Sequence, residues 1–226
     1  CATNERFKEV LNSHRRETLQ HLTKVAALLK AAGAGLGRKK CEGIAGINWH
    51  VKIMPLKFLG RGGFGSTKDA IEAINYAIDR KKNGVNIRVI NASWGSTQKS
   101  KALEDAIRAA GDAGILFVAA AGNSSTDNDK RGHFPSNYDL PNVISVAALD
   151  RNDVLASFSN FGAKTVHVAA PGREILSTWL NDEYREASGT SMAAPQVAGI
   201  AALIVASEPK ISMAKLLSAQ MACEVA

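Results

Sequence analysis

The stretch Gly189-Thr-Ser-Met-Ala-Ala-Pro-Gln-Val-Ala-Gly199 sets one serine among small residues at the head of a helix-like run. Ser191 would then lie near the positive end of a helix, where developing negative charge is favoured. Pro195 is read as a mark of that start, tolerated in a first turn because the N–H it lacks would have no partner there. A second stretch, Gly114-Ile-Leu-Phe-Val-Ala-Ala-Ala-Gly-Asn123, reads as a buried strand that runs into small residues and an amide. Chemistry at a scissile carbonyl needs a donor aimed at the oxyanion, and Asn123 at a strand end can supply one. Taken singly, each has a plainer reading: a close-packed helix start for the first, a turn asparagine for the second.

Together and in this order, the two motifs resemble those of the subtilisin-like serine proteases, the subtilases. The resemblance implies a serine endopeptidase working by acyl transfer, with Ser191 as nucleophile and Asn123 in the oxyanion hole. It further implies that Ile87-Arg-Val-Ile-Asn-Ala-Ser-Trp-Gly95 forms a strand and one wall of the pocket for the side chain preceding the cut, lined by Ser93, Trp94 and Gly95. Gly63-Phe64-Gly65 matches an extended strip that pairs with substrate backbone; glycine permits such close approach, although it equally marks an ordinary loop. His133 falls near the floor of the family's specificity pocket, where it reads as a loop residue or as one that tunes substrate choice. Phe134-Pro135 matches a position where the family commonly holds a cis bond. Protein or peptide substrates, no cofactor, a monomer and a secreted or extracytoplasmic location are the family's expectations.

The proton-transfer half of the site is harder to find. The family's triad runs Asp, His, Ser along the chain, but the first aspartate here is Asp69, beyond the place of the histidine motif. That motif survives only partly in His21-Leu-Thr-Lys-Val-Ala-Ala27, and His21 also reads as a helix-surface residue near Glu17. His14, His50 and His167 match no catalytic position. The general base is therefore unassigned, and the expectation is a protease domain that is incomplete or inactive as written. The rival of another class is a catalytically dead, subtilase-like binding domain. A further enzyme class is suggested by Gly60-Arg-Gly-Gly-Phe-Gly65, a Gly-x-Gly-x-x-Gly between a strand-like and a helix-like run, as dinucleotide binding requires. The acidic residue that should end the next strand is missing from Val89-Ile-Asn-Ala-Ser93.

The elements that would position these residues alternate in type. Strands are expected near 51–59, 86–92, 114–121, 142–148 and 165–170, and helices near 66–82, 99–111, 191–206 and 212–221. Such alternation argues for a three-layer α/β/α fold with a mostly parallel sheet, lacking the first strands of the family fold. With 226 residues, 46% of them hydrophobic, the chain can bury one sizeable core. Residues 1–42 stand apart as a basic segment with helical spacing and no match to the family, and residues 43–226 form a partial subtilase-like domain. Of the net charge of +7, residues 1–40 carry +6, from nine basic and three acidic side chains. The basic character is therefore local, and with no reader motif beside it nucleic-acid binding is not expected. Cys1, Cys41 and Cys223 lack metal-ligand spacing. No strong calcium site is expected, since Gly33 to Lys40 is basic. No apolar run reads as long enough to span a bilayer, and no signal-peptide pattern opens the chain.

Overall fold

The computed structural model describes residues 44–60 and 62–222. Two serines start the first two helices. Ser66 Oγ accepts the Asp69 N–H at 3.1 Å and opens α1 (Thr67–Lys82); Ser100 caps α2 (Lys101–Asp112) through the Leu103 N–H. Each cap satisfies one of the donors a helix start leaves unpaired. α1 buries Ala70, Ile74, Ala77 and Ile78, and α2 buries Leu103, Ala106, Ile107 and Ala110. Both sets follow the three- and four-residue spacing of one helix face. Arg80, Lys81 and Lys82 close α1 at the negative end of its dipole.

Four strands, β1 (Val89–Ala92), β2 (Leu116–Ala120), β3 (Val143–Leu149) and β4 (Val168–Pro171), pair in sequence order, every pair parallel. Along β2 the side chains divide by the two-residue period of a strand. Leu116, Val118 and Ala120 pack with α3 (Thr190–Ser207) and α4 (Met213–Ala222). Ile115, Phe117 and Ala119 pack with α1 and α2 on the other face. Both faces are covered, which is why these strands read as continuous apolar runs rather than as alternating ones. The result is the expected three-layer α/β/α arrangement.

α3 corrects one expectation from the sequence. It is 18 residues long and apolar enough to cross a membrane by length and composition. Here it lies against all four strands, with Thr190, Ala193, Ala194, Val197, Ala201 and Val205 buried. Its small residues on that face allow the helix and sheet to approach closely.

Residues 51–59 correct another, because they form no strand. Val51, Ile53 and Met54 are exposed, Ile53 to 83%. A strand needs a neighbour for its backbone donors and acceptors, and among the described residues β1 pairs only with β2. Pro55 adds a position without a donor. A hairpin the sequence did not suggest, β5 (Ile175–Thr178) with β6 (Tyr184–Ala187), pairs antiparallel between β4 and α3. Arg185 and Glu186 in β6 blur the apolar alternation by which such a strand is recognised. The helical segment expected within residues 1–42 lies outside the described residues.

Asp129 joins the loop after β2 to the turn before β4. Its carboxylate accepts the Thr165 hydroxyl at 2.7 Å, the Thr165 N–H at 3.0 Å and the Lys164 N–H at 3.1 Å. The Thr165 hydroxyl is the main cause holding its pKa below the ordinary carboxylate value; desolvation opposes it, and the backbone donors add to the lowering. A carboxyl with a lowered folded pKa stabilises the fold above its unfolded pKa and loses that contribution as pH falls through the folded value. Asp129→Asn should therefore melt below the wild type at about pH 7, with the gap narrowing as pH falls through the folded pKa. Thermal melts across that range check this, and a gap that stays constant with pH would refute it.

Candidate active site

The carboxyl ends of β1 and β2 and the head of α3 meet at one crevice, the position where open parallel sheets bind ligands. β1 ends at Ala92, one residue before Ser93; β2 ends at Ala120, three before Asn123. α3 starts after Gly189 without a side-chain cap, so its first N–H groups have no intrahelical acceptor. Asn123 is held directly on this helix head. Its Oδ1 accepts the Thr190 N–H at 2.8 Å and the Thr190 hydroxyl at 2.9 Å. With the oxygen so engaged, Nδ2 is the free end of the amide. A Cβ built on Gly189 would stand 3.3 Å from that Nδ2 and 3.6 Å from Ser191 N. The amide donor and the Ser191 N–H thus border the same small space, with the positive end of α3 behind it. Two donors at one point suit an oxygen that gains negative charge.

Ser191 is bound to Ser93 in both directions. Its Oγ donates to the Ser93 carbonyl at 3.2 Å, and Ser93 Oγ donates to the Ser191 carbonyl at 2.9 Å. The second bond has a cause in the helix. Pro195 is the sixth residue of α3, not a first-turn residue as expected. Its absent N–H would have served the carbonyl four residues earlier, that of Ser191. Ser93 supplies the missing donor.

The loop carrying Asn123 is pinned from below by two buried amides. Asn160 Oδ1 accepts the Ser124 and Thr126 N–H groups at 2.8 and 3.1 Å. Its Nδ2 donates to the Ala121 carbonyl at 3.0 Å and to Asn128 Oδ1 at 3.0 Å. Asn128 Nδ2 donates to the same Ala121 carbonyl at 2.9 Å. Gly122 between them has φ +109°, and a Cβ there would fall 2.4 Å from Asn160 Nδ2. Only glycine fits both the conformation and the space. The sequence pattern does not single out Thr190, Asn128 or Asn160. Thr190 is legible as a second hydroxyl inside the serine motif, whereas Asn160 lies 37 residues from Asn123 in what reads as a plain turn.

Of the other expected residues, Trp94 packs edge-on against Phe58, ring centroids 5.1 Å apart, and Gly95 abuts the His133 ring. The Gly63-Phe64-Gly65 strip is a turn rather than an extended strand: Gly63 has φ +76° and its N–H donates to the Gly60 carbonyl. Phe64 is 85% exposed. The missing strand at 51–59 also removes the context that dinucleotide binding through Gly60–Gly65 requires. Phe134–Pro135 is cis.

Among the described residues no histidine is hydrogen-bonded to Ser191. His50 is exposed. His167 Nδ1 accepts the Ser145 N–H at 2.9 Å, and burial lowers its pKa against the opposing pull of Asp139. Burial likewise lowers the pKa of His133, opposed by its bond to the Ala120 carbonyl. His14 and His21 lie outside the described residues. Among those described, no group of His, Cys, Asp or Glu is arranged to hold a metal ion.

The Ser93–Pro195 relation gives a testable coupling. Ser93→Ala strands a half-buried carbonyl and should cost about 1–3 kcal/mol. In a Pro195→Ala background the restored N–H can take that carbonyl, so the same substitution should cost clearly less. Denaturant unfolding of the two single variants and the double variant measures the coupling; additive effects would contradict it.

Comparison with known proteins gives the family of the chain. The subtilisin-like protease 2 of Plasmodium falciparum is 38% identical over 166 residues, 72% of this chain and 12% of that protein. The thermophilic serine proteinase of Bacillus sp. (strain AK1) is 40% identical over 184 residues, 81% of this chain and 42% of its own. Subtilisin DY of Bacillus licheniformis is 37% identical over 186 residues, 82% and 65% respectively. The chain thus spans from about an eighth to about two thirds of the length of these relatives. A crystal structure of a cold-adapted subtilisin-like serine proteinase superposes with a TM-score of 0.64 at 33% identity, covering 72% of this chain and 56% of that one. The subtilase family model matches residues 3–222, a span that takes in most of the first 42 residues expected to lie outside the family, and the chain belongs to that family.

Proposed function

We propose that this chain carries the nucleophile and oxyanion parts of a serine endopeptidase site, borne by residues 43–226. Ser191 Oγ attacks the peptide carbonyl; the new C–O bond places negative charge on the carbonyl oxygen, which Asn123 Nδ2 and the Ser191 N–H receive. The C–N bond then breaks and the amine leaves with the proton given up by the Ser191 hydroxyl; water next adds to the acyl ester, and cleavage of its bond to Oγ releases the acid and returns a proton to Ser191. The observation that carries this reading is the locked amide of Asn123, its oxygen on Thr190 and its nitrogen beside the Ser191 N–H. Ser93, Trp94 and Gly95 border the crevice where the side chain before the cut would enter. Peptides or proteins are the substrates. A relative named as a minor extracellular protease, from Bacillus subtilis, supports a secreted or extracytoplasmic setting.

The same reading assigns the 226 residues themselves slow turnover. A serine hydroxyl needs a base within hydrogen-bond reach, itself oriented by a third group. Here the Ser191 hydroxyl rests on a carbonyl, the candidate His21 lacks the glycine that follows it in the family motif, and no aspartate precedes it. In subtilisin, the worked case for this chemistry, loss of the histidine base costs about six orders of magnitude in turnover.

Incubation of residues 1–226 with a fluorophosphonate probe and a chromogenic peptide tests this. Trace labelling and hydrolysis about 10⁶-fold below that of an intact triad are expected. Stoichiometric labelling and steady hydrolysis, both lost in Ser191→Ala, would show that a base is present after all. Loss in His21→Ala as well would identify that base.

A further inference from the structure

We propose that His133 closes the floor of the crevice between Ser93–Gly95 and Ala120–Gly122, so that the site accepts peptides with a small side chain before the cut and turns away aromatic ones. This names a substrate class for the site described above and rests on that reading. The two strand ends that bound the crevice both present glycine, and the imidazole occupies the room those glycines leave. A Cβ on Gly95 would fall 2.1 Å from His133 Cε1 and 2.7 Å from Nε2; one on Gly122 would fall 3.0 Å from Cδ2. The ring therefore touches both walls at once, where an entering side chain would otherwise lie.

The ring is not free to swing aside. Its Cε1 and Cδ2 edges lie against Gly95 and Gly122, and its Nδ1 lies 3.4 Å from Ser136 Oγ. That hydroxyl in turn donates to the His133 carbonyl at 2.8 Å. The backbone is fixed as well. Ser96 and Phe134 exchange two N–H···O bonds of 2.7 Å, binding the His133 loop to the segment after β1. His133 N donates to Asn137 Oδ1 at 3.2 Å, and Asn137 N returns a bond to the His133 carbonyl at 2.9 Å. An aromatic side chain could enter only by breaking several of these contacts, whereas a methyl or hydroxymethyl group needs little depth.

Binding rather than turnover tests the proposal, since a product-like peptide needs no general base. Two acetylated tetrapeptide carboxylates, identical except for a terminal Ala or Phe, are titrated calorimetrically into the full chain. The Ala peptide should bind at least about tenfold more tightly than the Phe peptide, the scale of discrimination that pocket size supplies. In His133→Gly, with His133→Ala as a second variant and a melting curve for each, the Phe peptide should gain at least about tenfold relative to the Ala peptide. A wild type that binds both peptides equally overturns the proposal without any variant. A preference for Ala that persists in a folded variant overturns it too, and leaves the proteolytic reading standing. Failure of either peptide to bind any of these proteins overturns that reading, and the proposal with it.

Discussion

A proline inside α3 leaves the Ser191 carbonyl without its helical partner, and the donor that takes it comes from the end of a strand. Ser93 Oγ binds that carbonyl while the Ser93 carbonyl accepts the Ser191 hydroxyl. The helix head is thereby tied to β1 at Ser191, the proposed nucleophile. Thr190, one position earlier, ties it to the β2 side through Asn123 and the Gly122 N–H, the latter at 3.1 Å. Two adjacent helix residues thus reach two adjacent strand ends, so the crevice geometry follows from how α3 lies on the sheet. The small buried face of α3 makes that placement close: Ala193, Ala194 and Ala201 have no exposed surface.

Elements defended by local chemistry are legible in the amino-acid sequence. The helix-like runs near 66–82 and 99–111 announce α1 and α2, and the apolar runs of β2 and β3 announce buried parallel strands. Ser191 and Asn123 are likewise legible, because their neighbours must be small for helix and strand ends to meet. Residues 51–59 mislead because strand composition describes a surface that would fit a sheet, while a strand exists only beside a partner. Pro195 misleads for a related reason. Local rules place a tolerated proline in the first turn, but what permits this one is a hydroxyl 102 positions away, which no local rule can contain. Asn128 and Asn160 stay hidden because a buried amide and a surface turn asparagine have the same sequence appearance.

The electrostatics of the crevice are arranged for an anion rather than for a proton. The Ser191 N–H and the positive end of α3 face it. Asn123 adds a neutral donor whose orientation is set in advance by Thr190, so little reorganisation is needed when charge develops. His133, the histidine that touches Gly95 and Gly122, is desolvated, with its Nδ1 near the Ser136 hydroxyl. Its lowered pKa favours the uncharged ring, which fills space and adds no competing cation below the donors.

These features separate the oxyanion half of the site from its proton-relay half. The donors at Asn123 and Ser191 depend on α3, β1, β2 and the amides beneath them, all within residues 89–207. None of those contacts passes through the stretch where a base and its aspartate would lie in the family's chain order. Removing a base from such a site suppresses the attack of Ser191 but leaves the donors in place, and a residual rate survives from them and from binding. The protease reading and the binding-domain reading therefore describe one crevice in two chemical states. A peptide whose carbonyl oxygen or carboxylate lies against Asn123 is held in either state, and one correctly placed proton acceptor decides whether the bond is then cut.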